Sequence, residues 1–352
     1  MVKAIFRVAR GKHLPKVSII ILNWNGKEHL PECLTSLKNQ TFQDFETILV
    51  DNGSKDGSQQ FIKQFFPWVR LVELEENLGF AGGNVAVYRQ SMGSFIVTLN
   101  NDTVVDIKWL EELVNVADQN PGTGMVASRI CSYFDNDTVD SLGMKICLDG
   151  MSRGYARGKK FSSLKNVPDD ILMPSACAAL YRRQLIEQTG FFDESFFAYC
   201  EDSDLGLRAR IAGWGAKLAV NSVVYHKYSA TAGSFSPFKL YLVERNHFWT
   251  VLKTFPPILL LLLPLTTLFR YVFQALVTLR GAGSGHMIRQ QSDVKACLIA
   301  VIRGFWHGLR NPFSMIQKRR EFIKKCHPDS FRILRLILKY RMSFSELLDA
   351  GD

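Results

Sequence analysis

The sequence predicts an α/β fold in which helices cover both faces of a mainly parallel β-sheet. From Val17 to about Arg129, short apolar runs alternate with stretches of helical pattern. Such alternation requires crossover connections, which place parallel strands side by side with helices above and below them. A polar cluster follows each apolar run, as expected where strands end at a ligand-binding edge. The chain has 352 residues, enough to bury a full core.

Four predicted strand–helix pairs open this fold. The strands are predicted at VSIIIL, FETILV, VRLVEL and SFIVTL, and the helices at GKEHLPECLTSLKNQ, SQQFIKQFF, GNVAVYRQS and IKWLEELVNVADQ. Next come a strand at GMVASRI, a hairpin with Asp149 and Gly150 at its turn, and a variable loop to about Asp170. A helix at RQLIEQTG, the amphipathic DLGLRARIAGW and a strand at KLAVNSVVYH complete the pattern.

Composition divides the chain into a tail at residues 1–15, an α/β domain at 16–250 and an apolar, basic region at 251–352. The net charge of +10 lies in the last region. Residues 1–249 contain 27 Lys and Arg against 27 Asp and Glu, whereas residues 250–352 contain 16 against 6. Cations combined with apolar residues favour an anionic membrane surface over nucleic acid. No apolar core of signal-peptide length follows the tail, which predicts that the protein is not exported.

The polar clusters after the four strands are NWNG, DNGSKDGS, ENLGFAGGN and NNDT. Because the carboxyl ends of parallel strands lie at one edge of a sheet, we expect the clusters to converge on one crevice. Each cluster alone could be an ordinary turn, since Asn, Gly, Asp and Ser are common turn residues. Their joint placement favours a ligand site.

Asp51 is the candidate for binding a nucleotide base. Its carboxylate follows a buried strand, where it could accept hydrogen bonds from a base or a sugar hydroxyl away from bulk water. The alternative is that Asp51 only caps the helix after Lys55. Ser54 and Asp56 could serve as that cap instead, which favours the ligand interpretation.

Asp102 and His226 are the candidate metal ligands. A carboxylate in the NNDT cluster could hold Mg²⁺ or Mn²⁺, with the two phosphates of a nucleotide completing the coordination. The cation would neutralise charge on a departing diphosphate. His226 follows the last predicted strand and could add an imidazole ligand. A histidine at a strand end is more often only a polar residue, but the need for a second ligand favours coordination.

Glu201 and Asp202 are the candidate acid–base residues. They lie between an aromatic run, FFDESFFAY, and the amphipathic helix, which predicts a partly dry environment. A general base needs such a setting close to an acceptor hydroxyl, and it typically contributes a rate factor of about 10²–10⁴. The alternative is an acidic pair that only stabilises a helix N-terminus.

The C-terminal region begins with FPPILLLLLPLTTLFRYVFQALVTL, at residues 255–279. Its length would permit a membrane span, but Pro264, Arg270 and Gln274 interrupt it. We therefore favour an in-plane or re-entrant element over a spanning helix or a soluble core helix. From Val294 onward, apolar residues mix with Lys and Arg at helical spacing, which predicts an interfacial helix, with a protein-contacting helix as the alternative.

In order, the motifs resemble the family 2 glycosyltransferases, particularly their rhamnosyltransferase-like subgroup. The resemblance runs from about Lys16 to Trp249 and rests on VSIIILNWNG, VDNGSKDGS, ENLGFAGGN, LNNDT, FFDESFFAYCEDSDLGLRAR and YHKYSATAG followed by ERN. It implies a GT-A fold with a mixed, mainly parallel sheet, a nucleotide-sugar donor, a divalent metal and a single inverting displacement.

The resemblance also implies residue roles. Asp51 would contact the base, Asp102 and His226 would bind the metal, and Asp202 would be the catalytic base with Glu201 beside it. The metal motif reads NND rather than two acids around one residue, so it offers one anionic ligand. Gly82 and Gly83 would let the backbone pass close to the donor. The predicted substrate-binding residues are Asn23, Asp51, Asn52, Gly82, Gly83, Asn101 and Arg208.

The expected reaction transfers L-rhamnose from dTDP-rhamnose, or a sugar from a UDP-linked donor, to a polyprenyl-diphosphate-linked saccharide. We expect it at the cytoplasmic face of the bacterial inner membrane, in cell-surface polysaccharide biosynthesis. One rival is a nucleotidyltransferase, although NWNG offers no cation to phosphates before Lys27. A second is an inactive membrane-bound scaffold with the same fold. A third is a nucleic-acid binder, which salt-dependent binding to random DNA would reveal; we expect no nucleic-acid partner.

Overall fold

The computed structural model describes residues 14–227, 236–280, 293–310, 312–327 and 329–348. Most of the predicted tail and the stretch YSATAGSF after Lys227 lie outside these residues.

One mixed sheet of nine strands forms the centre of the described fold. Its strand order is β3-β2-β1-β4-β10-β6-β11-β5, with β7 beside β6, and β8 and β9 form a separate hairpin. The strands are β1 (Val17–Asn23), β2 (Phe45–Asn52), β3 (Arg70–Leu74), β4 (Phe95–Asn100), β5 (Thr103–Val105), β6 (Thr123–Ser132), β7 (Val139–Ser141), β8 (Met144–Ile146), β9 (Ser152–Gly154), β10 (Ala178–Arg182) and β11 (Gly215–His226).

The first four strands of the sheet order run parallel, as the sequence pattern predicts. β10 then pairs antiparallel with β4 and β6, and β11 runs parallel to β6. β10 enters the middle of the sheet in the opposite direction, and β5 and β7 pair antiparallel with β11 and β6, so the sheet is mixed. The α/β class and the mixed, mainly parallel sheet are confirmed.

Helices cover both faces of the sheet and continue into a C-terminal group. They are α1 (Leu30–Lys38), α2 (Ser58–Phe65), α3 (Gly79–Tyr88), α4 (Trp109–Gln119), α5 (Arg183–Thr189), α6 (Glu201–Ile211), α7 (Pro237–Thr254), α8 (Pro257–Leu279), α9 (Val294–Arg310), α10 (Pro312–Cys326), α11 (Ser330–Lys339) and α12 (Phe344–Leu348). The predicted boundary at residue 250 falls inside α7.

Two hydrophobic layers explain why β1 is apolar apart from Ser18 and Asn23. Val17, Ile19 and Ile21 point into a core formed with α1, α2 and α4. Ile20 points the other way, into a core formed with α3, α5 and α6. A parallel strand buried on both faces loses the usual alternation of apolar and polar residues, and VSIIIL has that character.

The C-terminal helices pack against the domain through α7. Gly304 and Gly308 of α9 allow this contact, because a Cβ atom at Gly304 would lie 2.7 Å from the carbonyl oxygen of Tyr241, and one at Gly308 would lie 3.2 Å from that of Arg245. α8 is one continuous helix despite Pro264 inside it. The close helix contact fixes α9 to the element that carries the ERN motif.

The arginine inside apolar α8 is buried rather than lipid-facing, with 2% of its surface exposed. The Arg270 side chain bonds to Asp149 at the turn of the β8–β9 hairpin. Its Nη2 also donates to Glu244 Oε1 of α7 at 2.7 Å. An arginine in an apolar segment is stable where carboxylates satisfy it, so this network ties α8 to the α/β domain.

Candidate active site

The ends of β1, β2 and β4 bring three of the four polar clusters together. Register pairs Asn23 with Asp51 across β1 and β2, and Leu22 with Asn100 across β1 and β4. Asn23 Nδ2 donates to Asp51 Oδ2 at 3.3 Å, and Asn101 Nδ2 donates to Asn23 Oδ1 at 2.8 Å. Asn23 therefore joins the cluster predicted for the base to the cluster predicted for the metal.

Asp51 is fully buried at the end of β2. Its Oδ1 accepts hydrogen bonds from the Ser54 amide at 3.0 Å and from Gln59 Nε2 at 2.8 Å. Asp51 does not cap the next helix, because Asp56 Oδ1 accepts the amide of Ser58 at the start of α2. Three donors already contact this carboxylate, so a nucleotide base would reach it only if the partly exposed Gln59 side chain moved aside.

Asn52 fastens the loop that precedes α3. Its Oδ1 accepts from the Leu78 amide at 2.9 Å, and its Nδ2 donates to Asn77 Oδ1 at 2.8 Å. A Cβ atom at Gly83 would lie 2.3 Å from Leu22 Cδ1, and one at Gly82 would lie 2.9 Å from Leu78 Cβ. At both glycines the close contact is therefore with another side chain of the protein. Asn52 likewise makes its hydrogen bonds to the loop itself.

Asp102 and His226 are buried at the ends of β4 and β11, and the partly exposed Asp140 of β7 completes a cluster with them. Asp102 Oδ1 lies 3.3 Å from His226 Nε2, at ion-pair distance, but makes no hydrogen bond to any described residue. On the other side of the ring, His226 Nδ1 lies 2.8 Å from Asp140 Oδ2. Arg157 Nη2 approaches the other oxygen of Asp140 at 3.4 Å. Asp140 was not predicted from the sequence, and no motif marks it.

Burial and charge act in opposite directions on this cluster. Burial disfavours the imidazolium of His226, but Cys177, Asp102 and Asp140 together raise its pKa well above the usual range. Burial likewise raises the pKa of Asp102, yet its contact with His226 outweighs this and leaves the pKa lowered. Both shifts favour a protonated imidazole beside an ionised Asp102, so a cation that took the imidazole as a ligand would have to displace its proton.

The cluster fits a divalent cation with few protein ligands. Among the described residues, no group of three or more His, Cys, Asp and Glu side chains has the arrangement of a complete metal site. Asp102 and His226 can supply two ligands, and the buried Oδ1 of Asp102 is an orphaned acceptor that a cation would satisfy. Mg²⁺ and Mn²⁺ accept such sites when phosphate oxygens complete the shell. Asp140 would orient the imidazole, as carboxylates do behind many metal-bound histidines.

Glu201 and Asp202 begin α6. Glu201 is buried, and its Oε2 has no hydrogen-bond partner among the described residues. Burial and the charge of Asp202 raise the pKa of Glu201 well above the usual range. Asp202 is half-buried, and its carboxylate accepts from the amides of Ala176 at 3.3 Å and Ser203 at 2.7 Å. Burial raises the pKa of Asp202 although these bonds oppose it.

Residues Ala176 and Cys177 connect the acidic pair to the metal cluster. The Ala176 amide donates to Asp202, and the carbonyl of Cys177 accepts from the amide of Asn100 at 2.8 Å, two residues before Asp102. The Cys177 side chain is also close enough to His226 to influence its pKa. The candidate base and the candidate metal ligands are therefore adjacent parts of one site.

The segment before Glu201 has an unusual backbone. Phe197, Tyr199 and Cys200 have φ values of 65°, 69° and 64°, a region that side chains with a Cβ rarely occupy. Asn246 Nδ2 of α7 donates to the carbonyls of Phe196, Ala198 and Tyr199 at 3.0, 2.8 and 2.8 Å. Asn246 therefore holds the backbone that positions the two acids.

A comparison with known protein families agrees with this geometry. Residues 18–190 match the family model described as Glycosyl transferase family 2. The chain carries a family 2 glycosyltransferase domain. The match covers the polar clusters of β1, β2 and β4, and it ends before the acidic pair of α6.

Curated relatives of this chain include a protein named for O-antigen biosynthesis and one named as an L-rhamnosyltransferase. It is 30% identical to the O-antigen biosynthesis protein RfbC of Myxococcus xanthus over 62% of this chain and 18% of that protein. It is 29% identical to protein y4gI of Sinorhizobium fredii over 62% of this chain and 25% of that one. It is also 27% identical to the N-acetylglucosaminyl-diphospho-decaprenol L-rhamnosyltransferase of Mycobacterium tuberculosis, over 61% of this chain and 77% of that enzyme. The chain thus spans a quarter or less of the first two relatives.

Solved structures show the same GT-A fold. Residues 1–349 of TarS from S. aureus in complex with UDP superpose with a TM-score of 0.52 at 15% identity, over 92% of this chain and 91% of that one. The mannosyltransferase PcManGT of Pyrobaculum calidifontis in complex with GDP-Man and Mn²⁺ gives a TM-score of 0.51 at 15% identity, over 93% and 88%. The GT-A fold inferred from the sequence motifs is confirmed.

One predicted substrate-binding residue, Arg208, is held by protein contacts. Arg208 is 5% exposed, and its Nε donates to Asp204 Oδ2 at 2.8 Å. Its two terminal nitrogens donate to the carbonyls of Thr189, Gly190 and Phe191 at 2.7, 3.0 and 2.7 Å. The guanidinium joins α5 to α6 with all three nitrogens engaged, so this position does not support a contact with substrate.

Proposed function

We propose that the chain is an inverting, metal-dependent glycosyltransferase that moves a sugar from a nucleotide diphosphate to a lipid-linked saccharide. The observation that supports this most is the adjacency of Asp202 to the pair Asp102 and His226, joined by residues 176 and 177. A base beside a diphosphate-binding cation is what a single displacement at a sugar carbon requires.

Each side chain has a definite task in this proposal. Asp102 and His226 would hold the cation, with Asp140 fixing the imidazole. When bound, the cation would neutralise charge that grows on the departing diphosphate. Asp202 would accept the proton of the attacking acceptor hydroxyl. Glu201, whose pKa is raised further by burial, would stay protonated and limit the negative charge beside that base.

The donor and acceptor are assigned from the relatives. The mycobacterial relative is named as an L-rhamnosyltransferase acting on N-acetylglucosaminyl-diphospho-decaprenol, and another relative is named for O-antigen biosynthesis. These names favour dTDP-rhamnose as the donor and a polyprenyl-diphosphate-linked saccharide as the acceptor. Asp51 would contact the nucleotide base after the Gln59 side chain moves aside.

A membrane surface at the cytoplasmic face of the bacterial inner membrane is the proposed location. Among the described helices, α8 alone is long and apolar enough to cross a membrane. It buries one side against the domain and exposes a row that includes Leu261 at 77%, Leu265 at 64% and Leu268 at 60%. Such a face suits the interface of a bilayer, and the cations of the C-terminal region favour anionic lipids.

Transfer by the purified chain tests the enzymatic proposal. A panel of dTDP-, UDP- and GDP-sugars is incubated with lipid-linked acceptor, with Mg²⁺, with Mn²⁺ or with chelator. We expect turnover with dTDP-rhamnose and a divalent cation only. Asp202→Asn should reduce kcat by about 10²–10⁴ while calorimetric binding of the nucleotide persists, because the variant loses the proton acceptor but not the donor contacts.

The matched control is Asp118→Asn, which changes an exposed carboxylate paired only with Lys16 at the end of α4. It should leave turnover unchanged. Activity with UDP-hexoses alone would refute the rhamnosyl donor. Failure to bind any nucleotide sugar would refute the enzyme and favour the inactive scaffold.

A further inference from the structure

An apolar groove with a volume of about 690 Å³ lies between α8 and α9. Its walls include Ala275 of α8, Val301 and Trp306 of α9, and Leu240 of α7. Among the residues that the structure describes, none of those lining the groove is charged. The groove therefore offers an uncharged, mainly hydrocarbon surface.

The shape of the groove suits a chain rather than a compact ligand. The lining residues of α8 run from Tyr271 to Leu279, about 12 Å at 1.5 Å per residue. Those of α9 run from Val294 to Trp306, about 18 Å on the same basis. An elongated apolar channel of this length matches several consecutive isoprene units.

One end of the groove leads toward the candidate base. Leu240 lies on α7 directly after Phe238 and Lys239. The Phe238 ring lies 5.9 Å from the ring of Phe197, and Lys239 Nζ lies 5.5 Å from the ring centroid of Tyr199. Both aromatic residues belong to the segment that precedes the acidic pair, so the start of α7 links one end of the groove to that segment.

Two cationic side chains of α7, between the groove and Asp202, suit a lipid-linked diphosphate. Lys239 stands next to Leu240, and Arg245 of the same helix lies 4.3 Å from the Trp249 ring centroid while bonding to the carbonyl of Phe196. A diphosphate that connects a tail in the groove to a sugar near Asp202 would pass this cationic stretch of α7. Hydrocarbon, anion and reacting hydroxyl would then each meet a surface of matching chemistry.

We propose that the groove between α8 and α9 receives the polyprenyl tail of the acceptor and aligns its diphosphate-linked sugar with Asp202. This inference rests on the proposed lipid-linked acceptor and adds where the lipid lies. Because α9 is fixed to α7 by its two glycines, the groove holds a constant position relative to the site.

Filling the groove tests the inference. Val301→Trp places an indole within it, whereas Val272→Trp makes the same change on the exposed face of α8, outside the lining residues. Ala275→Trp provides a second filling variant. Binding of polyprenyl phosphate to the full chain in nanodiscs is measured by native mass spectrometry, together with KM for long-chain and two-isoprene acceptors.

Both filling variants should weaken polyprenyl phosphate binding at least about tenfold, because excluding even two or three methylene groups has that effect. KM for the long-chain acceptor should rise similarly, with kcat and the KM of the two-isoprene acceptor unchanged. Val272→Trp should match wild type. Equal affinities in all variants, or equal affinity of wild type for an ordinary phospholipid, would overturn the inference.

The binding assay separates this inference from the proposed function. If no sugar is transferred yet Val301→Trp still weakens polyprenyl phosphate binding, the enzymatic proposal fails and the groove assignment stands. If transfer occurs but chain length and groove filling change neither binding nor KM, the groove assignment fails alone.

Discussion

Replacing Asn246 by alanine should release the backbone that positions Glu201 and Asp202. The Asn246 amide serves three carbonyls, one buried and two partly buried, with two N–H groups. Leaving a buried acceptor without its donor costs about 1–3 kcal/mol, so losing two bonds removes about 2–6 kcal/mol of support. The three left-handed residues at 197, 199 and 200 store about 1–2 kcal/mol each. The hydrogen-bond energy from Asn246 and the backbone strain are of similar size. Without Asn246, the backbone of this segment should therefore move to a less strained conformation.

Relaxation sets the expected magnitudes for Asn246→Ala. The free energy of unfolding should fall by at most about 3 kcal/mol, because relieved strain offsets most of the lost bonding. A shift of about 1 Å in catalytic groups can reduce kcat by about 10²-fold, so turnover should fall by that order while nucleotide affinity stays near wild type. Hydrogen exchange at amides 197–200 should accelerate, which a purely global loss of stability would not confine to this segment.

Asn120→Ala is the matched control, since Asn120 Nδ2 donates to the single carbonyl of Val116 at the end of α4. It should cost at most about 1 kcal/mol and leave kcat unchanged. Chemical unfolding, donor titration and turnover are measured on both variants. If Asn246→Ala keeps wild-type kcat and local exchange, the segment does not depend on Asn246 and the reasoning is refuted.

Three further predictions follow from buried charges and thiols. Arg270→Met strands two buried carboxylates and should lower the free energy of unfolding by about 3–5 kcal/mol in urea titrations; a loss below about 1 kcal/mol would contradict the network. Although burial raises the pKa of Asp193, Lys253 and Lys318 depress it far below the usual range. The ionised Asp193 carboxylate therefore stabilises the fold above about pH 4, and this contribution declines as the pH falls. The difference in free energy of unfolding between wild type and Asp193→Asn should become smaller in acid. Burial raises the pKa of the Cys33 thiol to about 12, so it should resist iodoacetamide at pH 8 in the native protein, and its modification in mass spectra would contradict this.

The sequence predicted the part of the site that lies at the ends of neighbouring parallel strands. Asn23, Asp51 and Asn101 follow strands that lie next to one another in the sheet, so the rule for parallel strand ends was enough to bring them together. The α/β class follows from the same alternation. The antiparallel β10 follows from no local pattern, because Ala178–Arg182 is a short run whose direction depends on the strands already in place.

Other parts of the site could not be found from the sequence, because they depend on contacts between distant segments. Asp140 lies 86 positions from His226, in a short strand with no recognisable motif. Asn246 is within the ERN match, but its role depends on three carbonyls about 47–50 residues away. Arg208 matches a family position beside the acidic pair, and its hydrogen bonds to protein acceptors were equally invisible in the sequence.

The buried network of Arg270 also bears on how α8 meets a membrane. Its partners Asp149 and Glu244 belong to the hairpin turn and to α7, so a spanning α8 would either pull the α/β domain into hydrocarbon or strand an arginine there. An in-plane helix avoids both, with the domain on one side and the exposed leucines facing lipid. We therefore expect Leu265→Asp to reduce binding to phosphatidylglycerol vesicles with little change in unfolding, since 64% of Leu265 is exposed. Unchanged vesicle binding by this variant would mean that another surface carries the attachment.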